Sequence, residues 1–287
     1  MSGHNSTVAV FGPGLMGGSL LMALRDRHPG MTLRVWGRRA EALQHLRDRG
    51  LADFSSTDAA QTAQGADIAV LCVPVDKLAE VAAAAAPGVG PECTVTDVGS
   101  VKAVVVAELE RIFSHDRNFV GSHPMCGSEA AGLEAARADL YDTALCVVTP
   151  TPSSRSEATR AVEDFWRSVG MRTISLPAAV HDRAAAIVSH VPHVAAALLV
   201  NLLEDESPEA AAMCAGGFRD TTRVASGSPE LWTAILSSNR TEVISALHKL
   251  GDSVAAVRTL LEQEDTPALR DFLERAARRR GQIPTTP

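Results

Sequence analysis

The chain has few aromatic residues and very few lysines. Aromatic side chains make up 4% of its 287 residues, and lysine occurs only as Lys77, Lys102 and Lys249. Its formal net charge is −7 and its pI is near 5.7. Because binding to nucleic acid requires a basic surface, this composition argues against a nucleic-acid partner.

Paired cysteines and long apolar runs are also missing. The five cysteines are widely scattered and none forms a Cys-x-x-Cys pair, which is typical of reduced thiols in a cytosolic protein. No apolar run reaches the roughly 20 residues that a membrane span requires, and the first few residues are polar. The sequence therefore predicts a cytoplasmic protein with no membrane partner.

Strands and helices alternate along the first 177 residues, and helical periodicity continues from there to about Arg280. With 46% hydrophobic residues, the chain can form a substantial packed core. The predicted strands are residues 7–11, 32–36, 67–73, 93–97, 119–122, 145–149 and 172–175. This pattern predicts an α/β fold, with a doubly wound sheet over residues 1–177 and an all-α domain over residues 178–287.

The first candidate site is a Gly-x-Gly-x-x-Gly motif, residues 12–17, between the first strand and the first helix. In such a unit the glycines permit a tight turn and close approach of the backbone to a pyrophosphate, although Pro13 removes one amide donor. The alternative is a glycine turn that only packs two elements together. We favour a Rossmann-type dinucleotide site. Its predicted contacts are Gly12, Gly14, Leu15, Met16, Gly17, Val73 and Pro74.

The end of the second strand favours NADP over NAD as the cofactor. An acidic residue there would accept hydrogen bonds from the ribose 2′-hydroxyl of NAD, but this chain has Gly37-Arg38-Arg39 instead. Two guanidinium groups suit a 2′-phosphate through charge and bidentate geometry. The alternative is that Arg38 and Arg39 are simply solvated at the start of a helix.

A histidine is expected to do chemistry at another strand end. His123 lies in a turn framed by glycine and proline, and ligands of α/β proteins bind beyond the carboxyl ends of the strands. Ser100 follows the preceding strand, so it can either cap the next helix or form a hydrogen bond that orients His123. Lys102 is interpreted as a surface or helix-terminal charge.

The helical region adds two pairs of candidate residues. His190 and His193 lie on one helical face, but no third ligand stands at a matching spacing, so no metal site is expected. His190 is interpreted as a packing histidine and His193 as the better substrate contact, and Pro192 between them is expected to disturb the helix. Arg219 and Arg223 are suited either to clamp a carboxylate or to form ion pairs.

Together these motifs resemble those of the prephenate/arogenate dehydrogenase family of tyrosine biosynthesis, and the match covers nearly the whole chain. The residues that carry the resemblance are 12–19, 97–102, 121–129, 189–193 and 218–223. The chain departs from the family pattern at Pro13, and at Gly227, where a small polar side chain is expected.

The resemblance implies an oxidative decarboxylation in which prephenate becomes 4-hydroxyphenylpyruvate and hydride passes to NAD(P). His123 matches the histidine that accepts the proton of the ring hydroxyl, Ser100 the residue that supports it, and Arg223 the arginine that binds the substrate carboxylate. The other substrate-side candidates are His193, Glu129, His190 and Trp232. The family's helical domain forms a homodimer, so a homodimer is implied here.

Several alternatives stay open. Arogenate or 4-amino-4-deoxyprephenate could replace prephenate as the substrate, although His193 favours prephenate. A β-hydroxyacid dehydrogenase would use a lysine in the helical domain, where the chain has only Lys249, late on an amphipathic helix. A non-catalytic dinucleotide sensor would not need Ser100, His123 and Arg223 together. Because the chain ends about where the helical domain does, any inhibition by tyrosine is expected to act at the active site.

Overall fold

In the computed structural model, which describes residues 6–114, 118–127, 130, 132–204 and 206–283, two sheets precede a helical domain. The strands are β1 Thr7–Phe11, β2 Thr32–Trp36, β3 Phe54–Ser56, β4 Ile68–Leu71, β5 Thr94–Asp97, β6 Gly121–Pro124, β7 Leu145–Thr149 and β8 Arg172–Ser175. The helices of the first domain are α1 Leu15–Arg27, α2 Ala40–Asp48, α3 Ala59–Ala63, α4 Leu78–Ala85, α5 Ala103–Ile112 and α6 Ser156–Ser168. Those that follow are α7 Ala178–Ala185, α8 Val191–Asn201, α9 Pro208–Ala212, α10 Gly216–Thr222, α11 Pro229–Ser238, α12 Arg240–Glu262 and α13 Thr266–Gln282.

The first sheet is parallel and has the strand order β3-β2-β1-β4-β5, which is typical of dinucleotide-binding folds. This confirms the predicted fold class. The sequence analysis missed β3, because this strand has only three residues, two of them serines, and is only half buried.

The second sheet has the order β6-β7-β8, in which β6 and β7 are antiparallel and β7 and β8 are parallel. A parallel bridge between Val95 and Phe119 joins it to β5. Because the segment that leads into β6 runs parallel to β5, β6 ends at the same sheet edge as β1, β4 and β5. His123, on β6, therefore lies at the edge where the glycine motif follows β1.

Helices cover both faces of the sheets and bury the core. One apolar cluster contains Leu20, Leu24 and Trp166 from α1 and α6, and the other contains Leu78 and Val105 from α4 and α5. The single tyrosine of the chain, Tyr141, is buried in the first cluster, and its hydroxyl donates a 2.7 Å hydrogen bond to the carbonyl of Met16. This bond fixes the start of α1 beside the glycine motif.

Lys102 is fully buried, so its interpretation as a surface or helix-terminal charge is wrong. Both Lys102 and Asp97 are 0% exposed, and the lysine Nζ donates to an Asp97 carboxylate oxygen and, over 2.8 Å, to the carbonyl of Ser122. The same carboxylate accepts from the backbone N–H groups of Ser122 and Gly99. A buried ammonium is stable only when it is paired and hydrogen-bonded in this way.

A continuous helical segment, Ala178–Asn201, connects the two domains. By length and composition alone it could cross a membrane, with 24 residues and a mean hydropathy of 1.5, although polar residues interrupt its apolar runs. The disturbance expected near Pro192 takes the form of a π-helical turn, Ala186–His190, just before the proline. The outer face is apolar and exposed, with Val188 64% and Leu198 54% accessible.

We expect Lys102→Met to lower the free energy of unfolding by about 3–5 kcal/mol, because it leaves the Asp97 carboxylate buried without a cation. Urea denaturation measures the change. Lys77→Met is the matched control, since Lys77 is exposed and lies 3.6 Å from the exposed Asp76, and its loss should cost less than about 1 kcal/mol. Equal losses in the two variants would contradict the inferred importance of the buried pair.

Candidate active site

The turn between β1 and α1 can exist only with glycine at two of its positions. Gly12 has a φ of +100°, and a Cβ there would lie 2.6 Å from the carbonyl oxygen of Cys72. A Cβ on Gly17 would lie 2.1 Å from the carbonyl oxygen of Gly12. At Gly14, by contrast, nothing lies within 4 Å of the Cβ position, so space is open beside the turn.

This open space belongs to a cleft of about 810 Å³. Gly14 is the N-cap of α1, no side chain among the described residues caps this helix, and its first turn carries no acidic residue. The first backbone N–H groups of α1 and the helix dipole therefore suit a pyrophosphate. The turn, the uncapped helix and the size of the cleft fit a dinucleotide.

Both domains line the cleft. Of the predicted cofactor contacts, the lining includes Gly12, Gly14, Arg38, Arg39, Val73 and Pro74. Leu15, Met16 and Gly17 are not among the lining residues, and Gly17 instead packs against Gly12. The helical domain closes the cleft with Ser228, just before α11, and Leu231, within α11.

A chain of hydrogen bonds leads from His123 into the helical domain. His123 Nδ1 lies 2.8 Å from His181 Nε2, and His181 Nδ1 lies 2.7 Å from a carboxylate oxygen of Asp182. All three side chains are buried. His123 belongs to β6, whereas His181 and Asp182 belong to α7, so the contact joins the two domains.

The surroundings of His123 favour its neutral form. Burial, together with nearby His181, Lys102 and His190, holds the pKa of His123 well below its usual value of 6.5. Burial alone would raise the pKa of Asp182, but hydrogen bonds from His181 and from backbone N–H groups outweigh this effect and lower it. The structure therefore combines a neutral imidazole with an ionised carboxylate two side chains away.

Of the two alternatives for Ser100, the capping role is wrong. The N-cap of α5 is Lys102, and no local side chain caps the helix. The two Asp182 carboxylate oxygens instead accept from the backbone N–H groups of Lys102 and Ala103, over 2.7 and 2.8 Å. Ser100 is half buried, and among the described residues its hydroxyl has no hydrogen-bond partner. Of the two ring nitrogens of His123, Nδ1 is bonded to His181.

His190 is buried beside the same network. Its Nδ1 lies 3.1 Å from the side-chain amide of Asn239, which also donates a 2.8 Å hydrogen bond to the carbonyl of Asp182. The other ring nitrogen, Nε2, is buried and has no partner among the described residues. Burial is the main reason why the pKa of His190 is lowered to about 4.

His193 lies against an aromatic ring. It stacks on Trp232 with ring centroids 3.6 Å apart and an angle of 11° between the ring planes. Its Nδ1 is buried without a partner among the described residues, and burial lowers its pKa. Gly227 explains part of this arrangement, because a Cβ there would lie 2.6 Å from the indole nitrogen of Trp232. The small polar side chain expected at Gly227 would therefore displace the ring.

Arg223 opens the short turn Arg223–Ser226 after α10, and its side chain is exposed, as is that of Arg219. The carbonyl of Arg223 accepts from the Ser226 hydroxyl over 2.8 Å. Glu129, the remaining substrate-side candidate, lies outside the described residues.

Three residues of this network, His181, Asp182 and Asn239, were not predicted from the sequence to have a role. His181 and Asp182 were visible as an adjacent His-Asp pair at the start of a helical region, and such a pair can bond to a histidine elsewhere. Asn239 carried no signal, because it lies 57 residues from Asp182 and bonds to it through a backbone carbonyl.

A cleft that fits a dinucleotide, at the same sheet edge as a buried neutral histidine, is typical of nicotinamide-dependent oxidoreductases. The family model described as prephenate dehydrogenase, nucleotide-binding domain, matches residues 21–175, and the one described as prephenate dehydrogenase, dimerization domain, matches residues 177–275. The chain therefore belongs to the prephenate/arogenate dehydrogenase family, which confirms the resemblance. The boundary at residue 177 stays a prediction, although β8 ends at Ser175 and α7 begins at Ala178.

Known proteins match the chain over almost its full length. The chain is 30% identical to the prephenate dehydrogenase of Bacillus subtilis, over 99% of this chain and 78% of that protein. It is 29% identical to the cyclohexadienyl dehydrogenase of Zymomonas mobilis, over 97% and 96% of the two chains. The crystal structure of A. aeolicus prephenate dehydrogenase in complex with hydroxyphenyl propionate and NAD+ has a TM-score of 0.91 and 29% identity, over 97% and 98%. A Synechocystis arogenate dehydrogenase has a TM-score of 0.84 and 28% identity, over 97% and 100%.

The buried histidines make the stability of the fold depend on pH. The pKa of His190 is about 4 in the folded chain and near 6.5 when exposed, so the unfolded chain binds more protons between these values. Stability should be complete above about pH 6.5 and fall as pH drops through about 4, by up to about 3 kcal/mol for this residue. Urea unfolding at several pH values measures the loss.

The variant His190→Gln should flatten the dependence of the free energy of unfolding on pH. The control His45→Gln, at an exposed histidine, should leave it unchanged. A pH dependence that is unchanged in both variants would contradict this account.

Proposed function

We propose that this chain oxidises prephenate to 4-hydroxyphenylpyruvate and CO2, with NADP as the hydride acceptor. The observation that carries the proposal is His123, a buried imidazole held in its neutral form at the sheet edge where the cofactor turn also lies. An imidazole must be neutral to accept a proton, and the surroundings of His123 favour that form.

His123 acts on the ring hydroxyl of the substrate. It accepts the hydroxyl proton at the ring nitrogen that is not bonded to His181, while the ring carbon bearing that hydroxyl loses hydride. The bond between the ring and its carboxylate then breaks, CO2 leaves, and the electron pair of that bond makes the ring aromatic. The proton on His123 returns to the phenolate oxygen. When bound, the nicotinamide supplies the hydride acceptor.

Other residues hold the substrate in this scheme. Arg223 binds a substrate carboxylate through its guanidinium group, for which bidentate geometry is favourable. His193, stacked on Trp232, lies against the side chain of the substrate. The Ser100 hydroxyl is available to the substrate hydroxyl, and Glu129 is a further candidate acid on the substrate side.

Arogenate is the second candidate substrate, because one relative is named cyclohexadienyl dehydrogenase and one similar structure is an arogenate dehydrogenase. The two substrates differ in a keto or an amino group on the side chain. His193 supports prephenate, since burial lowers its pKa and favours the neutral ring, whereas an ammonium group is best bound by a carboxylate.

The preference for NADP rests on Arg38 and Arg39. Both are exposed and line the cleft directly after β2, where an acidic residue would select NAD. Asp76 and Glu80 line another part of the same cleft, and Asp76 is paired with Lys77.

We also propose that the chain acts as a cytoplasmic homodimer that pairs through its helical domain. The match to a dimerization domain and the exposed apolar face of the segment Ala178–Asn201 support the pairing, because exposed apolar patches of this kind mark protein interfaces. The five cysteines are free, as expected in a reducing compartment.

Replacing the base tests the proposed reaction. His123→Asn should lower kcat for prephenate by about 10²–10⁴-fold, because it removes the proton acceptor, while KM changes little. NADPH formation is followed with prephenate, arogenate and a β-hydroxyacid, and His45→Gln serves as the control. A kcat near the wild-type value in His123→Asn rules out the assigned base. Turnover of the β-hydroxyacid alone, or of none of the three, rules out the proposed function.

Charge substitutions test the cofactor preference. Arg38→Asp and Arg39→Asp should each lower kcat/KM for NADP by about tenfold or more and leave that for NAD less affected, because each removes a partner of the 2′-phosphate. Arg49→Asp is the matched control, since Arg49 is an exposed arginine at the far end of α2 and causes the same change of net charge. A wild-type enzyme that uses NAD far more efficiently than NADP would contradict the preference.

A further inference from the structure

The two side chains behind His123 have a defined pattern of proton donors and acceptors. Asp182 accepts three hydrogen bonds, from the backbone N–H groups of Lys102 and Ala103 and from His181. A carboxylate whose pKa is lowered is ionised at neutral pH, so it can only accept. The proton in the contact between His181 and Asp182 therefore lies on Nδ1 of His181.

The position of that proton determines the next one. A neutral imidazole carries one proton, so in the neutral form of His181 a protonated Nδ1 leaves Nε2 bare. This Nε2 is the atom that lies 2.8 Å from His123 Nδ1. A hydrogen bond between the two rings then requires the proton to be on Nδ1 of His123. Since neutral His123 also carries only one proton, its Nε2 is bare.

We propose that His181 and Asp182 are positioning residues that fix His123 as the tautomer with a protonated Nδ1 and a basic Nε2. This inference rests on the proposed function in one respect, namely that His123 is the base that receives the hydroxyl proton. The assignment of the tautomer itself does not depend on the identity of the substrate. Neither His181 nor Asp182 needs to touch the substrate for this role.

The hydrogen-bonded pair His181 and Asp182 also stabilises His123 after it has accepted a proton. The proton enters at Nε2 and the Nδ1 proton stays on His123, so the imidazolium still donates to His181. Asp182, which is ionised and bonded to His181, provides the negative charge at the end of this series of hydrogen bonds. The positive charge of Lys102 is neutralised by Asp97. The proton leaves again from Nε2 to the phenolate oxygen, and Asp182 is never protonated. Catalytic histidines are commonly held by such a carboxylate-anchored partner.

The positioning residues also connect the tautomer to the docking of the two domains. Asp182 holds the first N–H groups of α5 in the dinucleotide-binding domain, and its backbone carbonyl accepts from Asn239 of the helical domain. His123 thus receives its partner only when the helical domain is seated on α5.

The tautomer can be observed directly in the full-length protein without substrate or cofactor. Long-range proton–nitrogen correlation spectra of protein with isotope-labelled histidine distinguish protonated from bare ring nitrogens, and the signals of His123 are those lost in His123→Asn. At neutral pH we expect a protonated Nδ1 and a bare Nε2 on His123. A proton on Nε2, or a mixture of both tautomers, would overturn the proposal even if the chain oxidises prephenate. The expected tautomer in a chain that fails to oxidise prephenate would instead count against the proposed function alone.

Variants at His181 provide the second test. His181→Leu removes both hydrogen bonds and should lower kcat by about 10²-fold or more while KM changes by less than about threefold. His181→Gln is the conservative control, because its amide can donate to Asp182 while its oxygen accepts from His123. We expect it to restore kcat to within about tenfold of the wild type and to keep the tautomer. An equal loss of kcat in both folded variants would overturn the proposal, and so would full activity in His181→Leu. If His181→Leu fails to fold, kcat and the tautomer of His181→Gln, together with the wild-type spectrum, test the proposal.

Discussion

The Asp182 carboxylate holds together the elements on which the site depends. It is almost fully buried, and burying an ionised group is costly unless hydrogen bonds replace the lost water. Here three N–H groups replace it, two at the start of α5 and one on His181. Because these donors come from both domains, a single carboxylate stabilises a helix N-terminus, the contact between the domains and the orientation of a histidine partner.

A buried ion pair supports the strand that carries His123. Lys102 and Asp97 neutralise each other directly beneath β6, and Ser122 on that strand bonds to both residues. The strand that carries His123 is therefore anchored by groups that do not themselves need to react. His123 is left in surroundings that disfavour a positive charge, which is the condition a neutral proton acceptor requires.

Local patterns made most of the fold and the outline of the site predictable. Apolar runs followed by glycine or proline identified β1 and the strand that leads to His123, and the glycine motif followed its strand directly. Contacts between distant segments were not predictable: His123 and His181 lie 58 residues apart and meet only through domain packing. The same reason explains the error at Lys102, whose burial depends on how β6 covers the turn after Asp97. Ser100 had suitable chemistry for a cap, but tertiary packing supplied a different one.

The π-helical turn Ala186–His190 sets the angular phase of the helix that joins the domains. An α-helix advances by about 100° per residue, so one residue added to a turn rotates everything beyond it by that angle. Before this turn, His181 and Asp182 are directed at His123 and α5, and after it His193 is directed at Trp232. His193 is 12 positions after His181, which in a regular α-helix is about 120° beyond three full turns, whereas the extra residue in the π-helical turn reduces this angle to about 20°. The turn thus allows a single helix to direct both histidines from nearly the same side.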